Sequence, residues 1–122
     1  MCKVIKMQAR GKSFKVADIK QECVENIIDA ASTCDSIDKI ILFGSSITNK
    51  CKKDSDVDIA VYGSKPKAKC LSSKTYREFT RKLYQFDDFS QSYDIIYFQS
   101  NKKYTSKIAD DIENGELIYA KG

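Results

Sequence analysis

The chain is 122 residues long, 42% hydrophobic and 31% charged with only five glycines and one proline, a balance that fits one compact domain over residues 1–122 and excludes a second domain or a disordered chain. It contains no histidine, which removes Ser-His-Asp hydrolases, Cys-His proteases, His-ligated zinc and any histidine general base. The net charge is only +4, and no apolar run approaches the roughly 20 residues of a membrane span, so neither membrane insertion nor a secretory leader is expected and the cytoplasm is the expected compartment.

In chain order, the first dozen residues mix Lys3, Lys6, Arg10 and Lys12 with isolated apolar positions, and no element is assigned there. From Val16 to Cys34 the apolar residues Ile19, Cys23, Ile27, Ala30 and Cys34 recur at three- or four-residue spacing, which predicts a helix ended by Asp35 and Ser36. Ile37 to Phe43 reads as a buried strand closed by Gly44, and Asp56 to Tyr62 as a second strand closed by Gly63, Ser64 and Pro66. Ser72 or Ser73 caps a helix running to about Phe86, with Tyr76, Phe79, Leu83 and Phe86 on one face. Tyr93 to Phe98 is a third strand. Asn101 or Thr105 begins a last helix with Tyr104, Ile108 and Ile112 inward, Gly115 stops it, and Leu117 to Tyr119 ends the chain as an extended stub. The predicted order is α-β-α-β-α-β-α, an α+β (mixed α/β) fold with a small mixed sheet flanked by helices.

Two side features complete the survey. The five cysteines, Cys2, Cys23, Cys34, Cys51 and Cys70, are odd in number and include no CxxC pair, which reads as reduced structural thiols. Lys65, Lys67, Lys69, Lys74, Arg77, Arg81 and Lys82 face a single acid, Glu78, and Lys50, Lys52 and Lys53 form a second basic group. Such runs are either a solvated face or a surface for a polyanion or acidic partner; with little aromatic interleaving, charge alone does not make the chain a nucleic-acid binder.

The chemistry concentrates in Gly44-Ser45, ten residues, then Asp56-Val57-Asp58. Side chains alternate along a strand, so Asp56 and Asp58 share one face while Val57, Ile59 and Val61 take the other. Two adjacent carboxylates repel unless a divalent cation such as magnesium neutralises them. Gly44 permits a tight bend and close approach of a ligand, and Ser45 adds a hydroxyl and an amide suited to phosphate oxygens. Asp94, near the start of an otherwise apolar strand, is the third candidate acid, with Asp87 and Asp88 weaker ones.

The pattern Gly44-Ser45-x10-Asp56-x-Asp58 followed by Asp94 resembles the DNA polymerase β-like nucleotidyltransferase superfamily, and the short chain resembles its minimal nucleotidyltransferase branch, antitoxins that pair with HEPN-domain toxins. Leu42-Phe43, Asp54-Ser55 and the ending from Ile108 to Tyr119 resemble the family's flanks, so the likeness spans a core of about residues 16–119. The resemblance implies transfer of a nucleoside monophosphate, usually AMP from ATP, to a hydroxyl. It implies that Asp56 and Asp58 bind two magnesium ions, that Asp94 ligates the catalytic ion and orients or deprotonates the acceptor, and that Gly44 and Ser45 hold the triphosphate. Typical members carry Gly-Ser-Arg-Ala-Arg-Gly, whereas Ser46 and Thr48 stand here in place of the arginines. No second domain binds an acceptor, so a partner protein or a second copy in a homo-oligomer would present it. Two alternatives remain: a degenerate binding module that masks its partner, and a free-standing transferase acting on a small molecule or an RNA end.

Overall fold

The computed structural model describes residues 2–86, 90–100, 102–103 and 107–121, without the side chains of 107 and 108. Asp87, Asp88, Asn101, Tyr104, Thr105 and the side chain of Ile108 therefore lie outside the described residues.

The chain opens with a hairpin, where no element was expected. Strands β1 (Val4–Ala9) and β2 (Lys12–Ala17) pair antiparallel, Ala9 opposite Lys12, around a two-residue turn. Arg10 (φ 51°) and Gly11 (φ 79°) both adopt left-handed backbone, the geometry that matches the twist of a tight hairpin. Met7, Phe14 and Val16 alternate with polar neighbours and are buried, so a period of two governs this segment.

That pairing corrects the first predicted helix. Val16 and Ala17 belong to β2, Asp18–Lys20 form a 3-10 turn, and the helix α1 runs only over Gln21–Ser32. Ile19, expected on the inward stripe, is 48% exposed, whereas Cys23, Ile27, Ala30 and Cys34 are buried.

Strands β3 (Ile37–Phe43), β4 (Val57–Gly63), β5 (Tyr93–Gln99) and β6 (Glu116–Ala120) form a four-stranded sheet in the order β5-β4-β3-β6. β3 pairs antiparallel with β4 and β6, while β4 and β5 run parallel, so the sheet is mixed as expected. The parallel connection contains α2 (Lys67–Ser72), absent from the expected order, and α3 (Lys74–Gln85). Ser73 caps α3 by accepting a hydrogen bond from the Tyr76 amide at 3.2 Å. The closing stub is a full strand, β6, that flanks β3. Helix α4 (Lys107–Glu113) precedes it, and Gly115 N–H closes on the Ile112 carbonyl at 2.9 Å.

The main core lies on one face of the sheet. There Ile40, Leu42, Val57, Ile59, Val61 and Tyr97 pack with Val24, Ile27 and Ile28 of α1, Phe79 and Leu83 of α3, and Phe14 and Val16 of the hairpin. The other face carries a smaller cluster, Phe43, Ala60, Phe98 and Ile112, under α4. All five cysteines are free and buried, in keeping with structural thiols. Among the described residues no helix is long and apolar enough to cross a membrane.

Candidate active site

Strand register brings the acids together. Along β4, Val57, Ile59 and Val61 enter the main core, so Asp58 shares the opposite face with Ala60 and Tyr62. Along β5, Asp94 shares that face with Ile96 and Phe98 by the same alternation. The parallel register sets Asp58 beside Asp94, Ala60 beside Ile96 and Tyr62 beside Phe98, the last two rings stacked at 5.2 Å. Asp58 and Asp94 are thus neighbours on adjacent strands, about 4.8 Å apart in backbone spacing.

The electrostatics reflect that pairing. Burial is the largest cause holding the Asp58 carboxyl above the usual aspartate range, followed by the charge of Asp94 and then that of Asp56. Asp58 is half-buried and Asp94 exposed. Asp56 is exposed one residue before β4, not inside it as the sequence suggests, and acts on Asp58 from the strand's entry.

Gly44 completes the arrangement. It opens the 3-10 turn Gly44–Ile47 directly after β3, and its φ of +74° is a backbone conformation that side chains resist. A Cβ there would sit 2.2 Å from Asp58 Oδ2. Glycine is therefore required twice: by the bend and by the carboxylate that fills the space.

Phe43, Gly44, Ile47, Asp58 and Asp94 line an open cavity of about 500 Å³, together with Asp111 and Asn114 from the end of α4. The last two were missed in the sequence. Helical spacing of three puts them on one face of the last turn, but nothing in their local pattern marks that face as the one meeting β4 and β5. Asp56 and Ser45 do not line this cavity. Burial pushes the nearby Cys51 thiol pKa up. Ser46, one of the residues replacing arginine, is fully buried with its hydroxyl unpartnered. Thr48, the other, donates its hydroxyl to the Ser45 carbonyl at 3.0 Å and accepts from the Lys50 amide at 3.3 Å. Neither brings positive charge to the cavity. A larger cavity of about 800 Å³, lined by Cys2, Ile19, Asn49 and the lysines 50, 52 and 53, contains none of the acids.

The donor set suits a hard cation completed by a ligand. Among the described residues no three Cys, Asp or Glu side chains form a ready metal cage. The close pair Asp58 and Asp94 supplies carboxylate oxygens whose repulsion a divalent cation would relieve. Magnesium typically takes one or two carboxylates and draws its remaining oxygens from water and substrate phosphates.

A family model described as Polymerase beta, Nucleotidyltransferase matches residues 25–122. The chain belongs to the polymerase β-like nucleotidyltransferase family, and its mixed α+β architecture is consistent with that fold. No curated protein sequence matches the chain.

Proposed function

We propose that this nucleotidyltransferase domain moves AMP from ATP to a hydroxyl on a HEPN-type partner protein, acting in the cytoplasm as the antitoxin of that partner. The observation that carries the reading is the registered Asp58–Asp94 pair, closed on one side by a glycine with no room for a side chain. Asp58 and Asp94, with Asp56 at the strand's entry, would hold magnesium. Bound there, magnesium would supply the positive charge that offsets the triphosphate and the charge developing during the displacement.

The chain's own groups divide the remaining work. The bare Gly44 backbone leaves room for the Asp58 carboxylate beside the turn, and the exposed Asp94 carboxylate orients the acceptor and accepts its proton. The acceptor oxygen forms its bond to the α-phosphorus as the bond to the bridging β-oxygen breaks, and pyrophosphate leaves. The cavity is open to solvent, which suits a hydroxyl delivered by a second protein or a second copy of the chain.

The test is transfer of label from α-labelled ATP, with magnesium, to a HEPN-type protein co-expressed with this chain. Label that disappears with Asp56→Ala is the expected result; a stable complex that never acquires label overturns the reading.

A second reading, a binding module that neutralises its partner by masking, is favoured by Ser46 and Thr48, which leave the turn beside the cavity without the arginines that support triphosphate in typical members. Neutralisation that persists in the Asp56→Ala, Asp58→Ala double variant supports masking, and its loss supports transfer.

A further inference from the structure

Lys20 is the anomaly of the molecule. It is 2% exposed, and a buried lysine ordinarily has a carboxylate partner. Its partners are instead three neutral oxygens: Nζ donates to the carbonyls of Lys53 at 3.1 Å and Ser55 at 2.8 Å, and to Gln91 Oε1 at 2.6 Å. An ammonium has three donors, so this set uses all of them.

Those oxygens belong to the two segments that deliver the acids. The Ser55 carbonyl lies in the peptide joining Ser55 to Asp56, and it also accepts from Gln91 Nε2 at 3.0 Å. The peptide on the other side of Asp56 is held as well, because Val57 N–H donates to the Ser92 carbonyl at 3.0 Å. Gln91 Nε2 donates to that same Ser92 carbonyl at 2.7 Å, two residues before Asp94. Both peptide planes flanking Asp56 and the lead-in to Asp94 are therefore tied to one knot, and the Lys20 ammonium is its only charge.

The hairpin holds Lys20 in place. Asp18 N–H donates to the Lys3 carbonyl at 2.8 Å, and Lys3 N–H donates to Asp18 Oδ1 at 3.1 Å, which fixes the 3-10 turn at the base of β1 and β2.

We infer that Lys20 is the positioning residue of the carboxylate site: through Ser55, Gln91 and Ser92 it sets the spacing of the Asp56 and Asp94 segments around Asp58. This rests on the cation-binding reading above. Lys20 touches neither cation nor nucleotide; it acts only through the backbone that carries the ligands. With all its donors engaged by neutral oxygens, it leaves the aspartates free for an incoming cation.

The experiment uses the full chain as wild type, Lys20→Met, Lys20→Arg and Gln91→Leu. Mn²⁺ binding is read by electron paramagnetic resonance and backbone order by amide hydrogen exchange. Loss of a group that orients ligands typically weakens metal binding about 10–100-fold. Lys20→Met should show a weakening of that order with faster exchange confined to residues 53–58 and 91–95, and Lys20→Arg should recover part of both. Gln91→Leu, which keeps the charge and removes the link, should shift both in the same direction by less; it serves if Lys20→Met fails to fold. Wild-type Mn²⁺ affinity together with wild-type exchange in either folded variant overturns the inference. Wild-type protein that binds no Mn²⁺ defeats the cation-binding reading instead. In that case, local exchange rising in the variants still supports the positioning role, and unchanged exchange removes it.

Discussion

The two faces of the four-stranded sheet are built from the same strands and do opposite things. On one, Val57, Ile59 and Val61 of β4 are fully buried against α1, α3 and the hairpin. On the other, the intervening positions of that strand are Asp58, Ala60 and Tyr62, roofed by a single short helix. Alternation of side chains along one strand thus separates packing from chemistry by a single residue step. The first face supplies the hydrophobic stabilisation, and the second spends part of it on adjacent like charges and a backbone bend that only glycine tolerates.

If that division is correct, substitutions on the two faces should separate activity from stability. Asp94→Asn should lower nucleotidyl transfer about 10³-fold, the scale of losing a preorganised charge partner, with the denaturation midpoint not lowered and slightly raised at neutral pH as the repulsion on Asp58 is relieved. Phe79→Ala is the mirror case. Phe79 is fully buried between α3 and the sheet, so its truncation should cost about 3–5 kcal/mol in urea titration, with activity per folded molecule retained. Gly44→Ala should breach the division: the left-handed backbone adds about 1–2 kcal/mol of strain, and the new methyl meets Asp58 Oδ2, so transfer and thermal midpoint fall together. A Gly44→Ala protein with normal activity would show that the bend is not part of the site. Ser73→Ala removes the cap of α3 together with the hydroxyl's bond to the Cys70 carbonyl and should cost about 1 kcal/mol with no change in transfer.

The same division explains what was legible in the sequence. The strands β3, β4 and β5, the cap at Ser73 and the stripe Tyr76, Phe79, Leu83 could be read because each pattern is local: a period of two or of three to four residues next to a glycine or serine. Asp58 and Asp94 were recognisable as acids in apolar strands, and the parallel register makes them neighbours. The hairpin was obscured because Arg10-Gly11 is a less obvious turn signal than Asn-Gly, and because its alternation uses Met7 and Phe14 among lysines. Its last apolar residues, Val16 and Ala17, then merged with the helical stripe of α1. The Asp111 and Asn114 wall of the cavity depends on how α4 docks, and the Lys20 knot joins residues 20, 53, 55 and 91, separations that no local pattern spans. Ser45 is the instructive case in the other direction: its position in the motif is clear, but it does not line the cavity.

The smallest expected effect is the most diagnostic of the charge on the site face. The Asp58 carboxyl is held above the ordinary aspartate range by burial, then by Asp94 and Asp56. Below that ordinary range Asp58 is protonated in both folded and unfolded chains and contributes nothing to the pH dependence of stability. As pH rises, the unfolded chain releases the proton first, so folding becomes progressively less favourable until the raised folded value is passed, and the penalty is then constant. Asp58→Asn should therefore raise the thermal midpoint by a few degrees at neutral pH, and the gain should vanish in acid below the ordinary aspartate range. Magnesium added to the wild type at neutral pH should recover a similar gain, and should do much less for Asp58→Asn. A midpoint that does not move on substitution at neutral pH would mean that solvent already screens the carboxylate pair, and the site face would then carry no electrostatic cost for a cation to relieve.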